Sequence, residues 1–139
     1  MKSTNEIHVM ALPSFPDVRL GTLVVLDEKL GLSVNVRRIF VVAGNPGTTR
    51  GKHAHKELTQ ILVCVHGRCV VVCDDGKARK SVILDAPGTA LEIPPGIWCE
   101  QIYETDGTVL MVLCDLPFDE EDYIRDYREF LDFRNGVVT

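Results

Sequence analysis

Two histidines separated by one residue are the most chemically capable feature of the sequence. His53 and His55 lie within the stretch RGKHAHKELTQ, residues 50–60. Residues two apart on a β-strand point to the same face, so the two imidazoles should project together. With an ordinary pKa of about 6.5, an imidazole takes up and returns a proton near neutral pH. The pair therefore suits acid–base chemistry or metal binding. The alternative is that both histidines have only a structural role and fill the protein interior.

Arginines close to the histidines could bind an anionic ligand. Arg50 precedes His53 by three residues, while Arg37 and Arg38 begin the preceding apolar segment. Because successive strand residues alternate in direction, at most one of Arg37 and Arg38 points towards the histidines, and we assign that role to Arg38. The guanidinium fork suits phosphate, which makes a nucleotide-sugar ligand plausible; a solvated strand edge is the alternative. Trp98 could supply a stacking wall or belong to the core.

Short apolar segments separated by turn signals must position these residues. The segments are rich in valine, isoleucine and leucine and too short for typical helices, while Asp-Gly and Pro-Gly pairs mark turns between them. They are GTLVVLDE (21–28), VRRIFVVAG (36–44), QILVCVHG (60–67), RCVVVCDDG (68–76), KSVILDAPG (80–88), TALEIPPG (89–96) and GTVLMVLCD (107–115). Many strands in one chain predict an all-β sandwich or barrel.

The C-terminal stretch has a different pattern. In DEEDYIRDYREFLDFR (119–134), aromatic and aliphatic residues recur at helical spacing after a run of acidic residues. We expect one short amphipathic helix with Asp119 as its N-cap. This helix should pack on the sheets.

Composition restricts the class of protein. The 139 residues form one expected domain, 1–139, with a net charge of -5, which argues against nucleic-acid binding. No apolar run approaches the roughly 20 residues that span a bilayer, and the first residues do not resemble a signal peptide, so we expect a cytoplasmic protein. The five cysteines include no CxxC pair, and we expect buried reduced thiols.

The histidine pair stands within a wider pattern that resembles the signature of the cupin superfamily. The other positions of this pattern are Gly47, Gly67, Gly88, Pro94 and Gly96. Gln60 stands where cupins carry a metal-binding glutamate, and Cys99 where they carry a third histidine. A glutamine is a weak ligand, although His53, His55 and Cys99 would form a set that zinc accepts. Acid–base chemistry without metal is the favoured interpretation; a bound metal remains an alternative.

A narrower resemblance covers nearly the whole chain, from about residue 17 to residue 133. Residues 50–56, RGKHAHK, match an RGxHAHK signature. Further matching stretches are QILVC (60–64), Gly67, DDG (74–76), LDAP (84–87), IPPGIW (93–98) and DEEDYIR (119–125). Together these resemble the WxcM-like cupins that act as dTDP-4-keto-6-deoxyglucose 3,4-ketoisomerases. Relatives commonly carry a tyrosine in the strand before the histidines, where this chain has the run RIFVV (38–42) without a hydroxyl.

This resemblance implies a cupin-type jelly-roll β-barrel with a short C-terminal helix, no metal and no cofactor. It implies a homodimer that exchanges N-terminal strands. The implied reaction moves the ketone of a dTDP-linked 4-keto-6-deoxyhexose from C4 to C3 through an enediolate, towards amino-dideoxysugars of lipopolysaccharide, other surface glycans or antibiotics. His53 would be the base and His55 its partner. The implied substrate-binding residues are Arg38, Arg50, Gln60, Trp98 and Cys99.

Three other functions remain open from the residues. A nucleotide-sugar 3,5-epimerase uses the same barrel and also removes protons next to a 4-ketone. A non-catalytic nucleotide-sugar-binding cupin would keep the barrel without turnover. A metal-dependent cupin such as a dioxygenase would need bound metal. The closely spaced histidines and the short chain favour the ketoisomerase.

Overall fold

Two antiparallel sheets of five strands each make up most of the molecule. The computed structural model describes residues 1–137, apart from the side chain of Leu30. The strands and the α-helix are β1 (His8–Ala11), β2 (Ser14–Asp17), β3 (Gly21–Val24), β4 (Arg38–Ala43), β5 (Thr48–His55), β6 (Gln60–His66), β7 (Cys69–Asp74), β8 (Arg79–Leu84), β9 (Thr89–Ile93), β10 (Trp98–Tyr103), β11 (Val109–Cys114), β12 (Tyr123–Ile124) and α1 (Tyr127–Arg134). Each apolar segment predicted above contains one of these strands, except that β8 begins one residue before the segment 80–88.

The main core lies between the facing sheets. One sheet has the order β1-β9-β6-β11-β4 and the other β12-β5-β10-β7-β8. Side chains from β6, β9 and β11 meet those from β7 and β10, and the largest fully buried ones include Leu62, Leu91, Leu110 and Tyr103. Two facing antiparallel sheets are the jelly-roll arrangement, so the predicted all-β fold class with a short C-terminal helix is confirmed.

The outer faces of both sheets are also covered in part. Residues 24–36 cross the first sheet and bury the outward side chains of Ile61 and Val63. Helix α1 covers the second sheet and buries Phe130 against Trp98. This double burial explains why these strands are apolar on both faces. All five cysteines are buried and free, as predicted.

The C-terminal stretch is not one helix. Residues 120–122 form a single 3-10 turn capped by Asp119, residues 123–124 form strand β12, and α1 begins only after the N-cap Asp126. Strand β12 pairs with β5, which places Tyr123 opposite His55 and Ile124 opposite Ala54. The helix prediction over 119–134 is therefore wrong for its first half, because backbone pairing with a distant strand competes with the local helical spacing.

The N-terminal strands have two kinds of partner. Strand β1 pairs with β9 of its own chain, whereas, within the described residues, β2 and β3 pair only with each other. The β2–β3 hairpin leaves Phe15, Val18, Leu20 and Leu23 exposed. In the described residues, no helix is long and apolar enough to cross a membrane.

Candidate active site

A cavity of about 370 Å³ opens between β4, β5 and β10 and contains much of the predicted site. The polar and charged residues on its wall are Arg38, Arg50, His53, Gln60, Gln101, Tyr103, Tyr123 and Arg125. Four of the seven residues predicted from sequence thus lie together. His55, Cys99 and Trp98 are not on the cavity wall.

A β-bulge on β5 brings Arg50 and His53 to the same face. Residues three apart on a regular strand point in opposite directions. Here the register with β10 shifts, so that His53 pairs with Cys99 but Arg50 pairs with Gln101. The bulged residues Gly51 and Lys52 have φ values of 85° and 55°, in the left-handed region. The extra residue explains why both side chains reach the cavity.

His53 is the titratable group of the cavity that is best placed to accept a proton. Its ring is half-buried, and its Nδ1 is buried without a hydrogen-bond partner. Burial, followed by the positive charge of a protonated His55 nearby, lowers the pKa of His53 to about 4. The imidazole is therefore neutral near pH 7 and available as a base.

His55 lies behind His53 and is held by a carboxylate. The ring centroids of the two histidines are 5.0 Å apart, with the planes nearly perpendicular. His55 Nδ1 lies 2.9 Å from Oδ2 of Asp122, whose Oδ1 accepts a hydrogen bond from the backbone of Glu57. Burial lowers the pKa of His55, while the hydrogen bond to Asp122 acts in the opposite direction. This arrangement fixes the orientation of His55.

Tyr123 completes the aromatic cluster around the histidines. Its ring centroid lies 5.0 Å from that of His53 and 4.4 Å from that of His55. The side chain lines the cavity, and its hydroxyl accepts a long hydrogen bond of 3.4 Å from Nη1 of Arg38. Strand β12 thus adds a phenol beside the imidazoles.

Three guanidinium groups give the cavity a positive wall. Alternation along β4 turns Arg38 inward, as assigned from sequence, and Arg50 enters through the bulge. Arg125 lies with its guanidinium carbon 4.2 Å from the ring centroid of Tyr123 and pairs with the exposed Glu120 at 2.6 and 2.9 Å. A guanidinium cluster in an acidic chain suits a phosphate-bearing ligand.

The other predicted residues have different surroundings. Gln60 is buried and lines the cavity. Cys99 lies behind the wall, where its Sγ accepts a hydrogen bond of 3.3 Å from the side chain of Gln101. A hydrogen bond with Cys73 and burial raise the pKa of the Cys99 thiol well above its ordinary value, so the thiol stays protonated and is a poor nucleophile.

Trp98 packs away from the cavity. It precedes Cys99 on β10 and therefore points to the opposite face of the sheet. There it lies against Tyr127 and Phe130 of α1, and its indole nitrogen donates a hydrogen bond to Glu100. The predicted contact of Trp98 with substrate is replaced by a contact with the helix.

The possible zinc ligand set is not assembled. In the described part of the chain, no group of three or more histidine, cysteine, aspartate or glutamate side chains could hold a metal ion. The Cys99 thiol forms hydrogen bonds with Gln101 and Cys73 rather than contacts with the two histidines.

Sequence reasoning missed the contribution of the C-terminal stretch. Asp122, Tyr123 and Arg125 all reach the histidines or the cavity, yet the predicted helix would have packed them as surface or core residues. The available signal was the DEEDYIR stretch itself, since it formed part of the family resemblance.

Comparisons with known proteins show the family of the chain. Residues 5–135 match the family described as FdtA, WxcM-like, C-terminal. A TDP-4-oxo-6-deoxy-alpha-D-glucose-3,4-oxoisomerase from Aneurinibacillus thermoaerophilus is 38% identical over 111 residues, which cover 79% of this chain and 80% of that protein.

Solved structures show the same architecture. A 3,4-ketoisomerase from Helicobacter canadensis is 35% identical with a TM-score of 0.88, covering 94% of this chain and 98% of its own. QdtA, a sugar 3,4-ketoisomerase from Thermoanaerobacterium thermosaccharolyticum solved in complex with TDP, is 28% identical with a TM-score of 0.90, covering 96% and 97%. The predicted resemblance is confirmed, and the chain belongs to the WxcM-like family of the sugar 3,4-ketoisomerases.

Proposed function

We propose that the protein is a TDP-sugar 3,4-ketoisomerase that moves the ketone of a dTDP-linked 4-keto-6-deoxyhexose from C4 to C3. One observation carries this proposal: His53, neutral and half-buried, lies on the wall of a cavity that three arginines also line. The family relationship and the names of the relatives support the same reaction.

The chemistry requires a base beside an acidic carbon-bound proton. A ketone at C4 acidifies the proton on C3, and its removal gives an enediolate shared by C3 and C4. Return of a proton to C4, with loss of the hydrogen on O3, leaves the 3-ketone. His53 removes the C3 proton, and His55, held by Asp122, supports the ring of His53 from behind.

The arginines bind and polarise the substrate. Arg38 and Arg125 flank Tyr123 beside the histidines, where a guanidinium stabilises the negative charge that develops on the sugar oxygens. Arg50 lies three residues before His53 and contacts the diphosphate. The cavity volume of about 370 Å³ falls within the usual range of small-ligand sites, roughly 300–1,000 Å³.

Product analysis tests this function. The purified protein is incubated with TDP-4-keto-6-deoxyglucose, and NMR spectroscopy follows the position of the ketone. A 3-keto product is expected. A product that keeps the 4-ketone with inverted C3 or C5 would identify an epimerase, and tight binding without any product would identify a binding protein.

We also propose that the active molecule is a homodimer that exchanges its β2–β3 hairpin. This hairpin exposes Phe15, Val18, Leu20 and Leu23, and Ile39 and Val41 of the edge strand β4 are exposed as well. Apolar patches of this kind commonly mark interfaces. Light scattering should give twice the chain mass of 15.5 kDa, and Leu20→Asp should shift the protein towards the monomer. A monomeric wild-type protein would contradict this proposal.

The proposed reaction also places the protein in a biosynthetic sequence. A 3-ketone is the substrate that an aminotransferase needs to make a 3-amino-3,6-dideoxysugar, for a surface glycan or a secondary metabolite. Such nucleotide sugars are made in the cytoplasm, where we expect this protein to act.

A further inference from the structure

We propose that Tyr123 is a catalytic residue that moves a proton between the two oxygens of the substrate, while His53 moves the proton between the two carbons. This inference rests on the proposed ketoisomerase function and extends it. The isomerisation needs both transfers, because the hydrogen leaves O3 while O4 gains one. His53 lies on the cavity wall for the carbon-bound proton, and a second group is needed for the oxygens.

Backbone pairing fixes Tyr123 in place. The short strand β12 pairs with the end of β5, so that Tyr123 stands opposite His55 and on the same face as the histidines. Asp122, the preceding residue, is tied to β5 by accepting hydrogen bonds from His55 Nδ1 and the backbone nitrogen of Glu57. The backbone of Lys56 donates a further hydrogen bond of 2.9 Å to the carbonyl of Asp122. The phenol is therefore held next to His53 by fixed contacts on both sides.

The surroundings of the hydroxyl suit proton donation. Arg38 donates its hydrogen bond to the phenol oxygen, which leaves the hydrogen of the hydroxyl free for a ligand. Arg125 lies over the ring at 4.2 Å. Both cations favour the negative charge that the phenol acquires when it gives its proton away.

The other hydroxyl on the cavity wall is less well placed. Among the described residues that line the cavity, only Tyr103 also carries a hydroxyl. It pairs with Thr48, at the far end of β5 from His53, whereas Cys99, four residues earlier on β10, is the partner of His53. At about 3.3 Å per residue, the two positions on β10 are roughly 13 Å apart along the strand. Burial also raises the pKa of Tyr103 to about 12, which weakens it as an acid.

The proposed steps balance. His53 takes the proton from C3, the C3–H electrons form the C3–C4 double bond, and O4 takes the proton of the Tyr123 hydroxyl. The resulting phenolate then takes the proton from O3 as the C3–O3 double bond forms. His53 finally gives a proton to C4; in D₂O this is a deuteron, because the proton held on the His53 imidazolium exchanges with solvent before it is delivered. Both residues return to their starting states, and no further reactant is consumed.

The variant Tyr123→Phe separates the two transfers. The ring keeps its contacts with the histidines and loses only the hydroxyl. In D₂O with TDP-4-keto-6-deoxyglucose, formation of the 3-keto sugar should fall by about 10² to 10⁴-fold, the usual size of a general acid–base contribution. Deuterium should still enter C3 of the recovered 4-keto sugar, because His53 remains in place. This exchange should be slowed less than isomerisation, because it needs only the first of the two proton transfers made by Tyr123.

Tyr127→Phe is the matched control. Tyr127 lies on α1, and its hydroxyl donates a hydrogen bond to Asp74 outside the cavity. This variant should isomerise at the wild-type rate. Wild-type turnover in Tyr123→Phe would overturn the role of Tyr123 alone, as would an equal loss of isomerisation and of exchange at C3. Absence of isomerisation by the wild-type protein would overturn the proposed function as well.

Discussion

The side chains of His55 and Asp122 form a hydrogen-bonded pair with 2.9 Å between Nδ1 and Oδ2, and both are nearly buried. An ionised carboxylate only accepts hydrogen bonds, so Nδ1 of His55 carries the hydrogen and Nε2 keeps its lone pair. Asp122 belongs to the C-terminal stretch, whereas His55 ends β5. The stretch therefore sets the tautomer of a histidine that supports His53.

We predict that Asp122→Asn lowers kcat by about 10 to 100-fold, as substitution of a group that orients a histidine commonly does. The amide no longer requires the same tautomer of His55, while the shape of the side chain is kept. Steady-state kinetics and TDP titration calorimetry measure the effect, and TDP affinity should not change. Asp119→Asn is the control, because Asp119 only caps the exposed 3-10 turn. Equal kcat in both variants would contradict the positioning role.

The buried histidines should make stability sensitive to acid. The pKa of His53 is lowered from 6.5 to about 4, so between these values the unfolded chain binds a proton that the folded chain does not. This contribution to the free energy of unfolding is therefore present above pH 6.5 and is lost as the pH falls towards 4. Urea unfolding over this range measures the slope. His53→Asn should reduce the slope, and an unchanged slope would contradict the burial argument.

Substitution of Gly51 should damage both the fold and the site. An added Cβ would lie 2.6 Å from Oε1 of Gln101 and 2.9 Å from the carbonyl of Cys99, at a φ of 85°. Gly51→Ala should therefore cost more than the roughly 1–2 kcal/mol of the left-handed backbone alone, and it should lower kcat by shifting Arg50 and His53.

Gly47→Ala separates these two effects. Gly47 also has a positive φ, of 79°, but its added Cβ would meet nothing within 4 Å. Thermal unfolding and kinetics should find only the backbone cost and an unchanged kcat. Equal effects of the two alanine substitutions would argue against a role for the bulge in placing Arg50 and His53.

Trp98 should matter for stability rather than for substrate binding. It is 5% exposed and packs on α1, on the opposite side of the sheet from the cavity. Trp98→Phe should reduce the free energy of unfolding by about 1–3 kcal/mol and leave KM unchanged. A raised KM in a stably folded variant would instead support the contact between Trp98 and substrate that was predicted from sequence.

The sequence predicted the parts of the site that follow strand periodicity. His53 and His55 share a face as expected, and alternation along β4 turned Arg38 inward. Alternation also explains the position of Trp98, since it cannot share a face with its neighbour Cys99.

Two features of the site could not be predicted from local sequence patterns. The bulge at Gly51 and Lys52 adds one residue to β5, which strand periodicity alone does not reveal. Strand β12 has only two residues, and its partner is more than sixty positions earlier in the chain, while the flanking residues have helical spacing. Tyr123 and Asp122 were therefore assigned to a helix, although long-range pairing decides their conformation.

The most direct test of the account is the fate of the carbon-bound proton. Wild-type protein and His53→Asn are incubated with TDP-4-keto-6-deoxyglucose in D₂O, and TDP binding is measured for both. We predict that the wild-type protein forms a 3-keto sugar with deuterium at C4, whereas His53→Asn binds TDP but neither isomerises the sugar nor exchanges its C3 proton. Deuterium at C3 and C5 with the ketone still at C4, or full turnover by His53→Asn, would contradict the account.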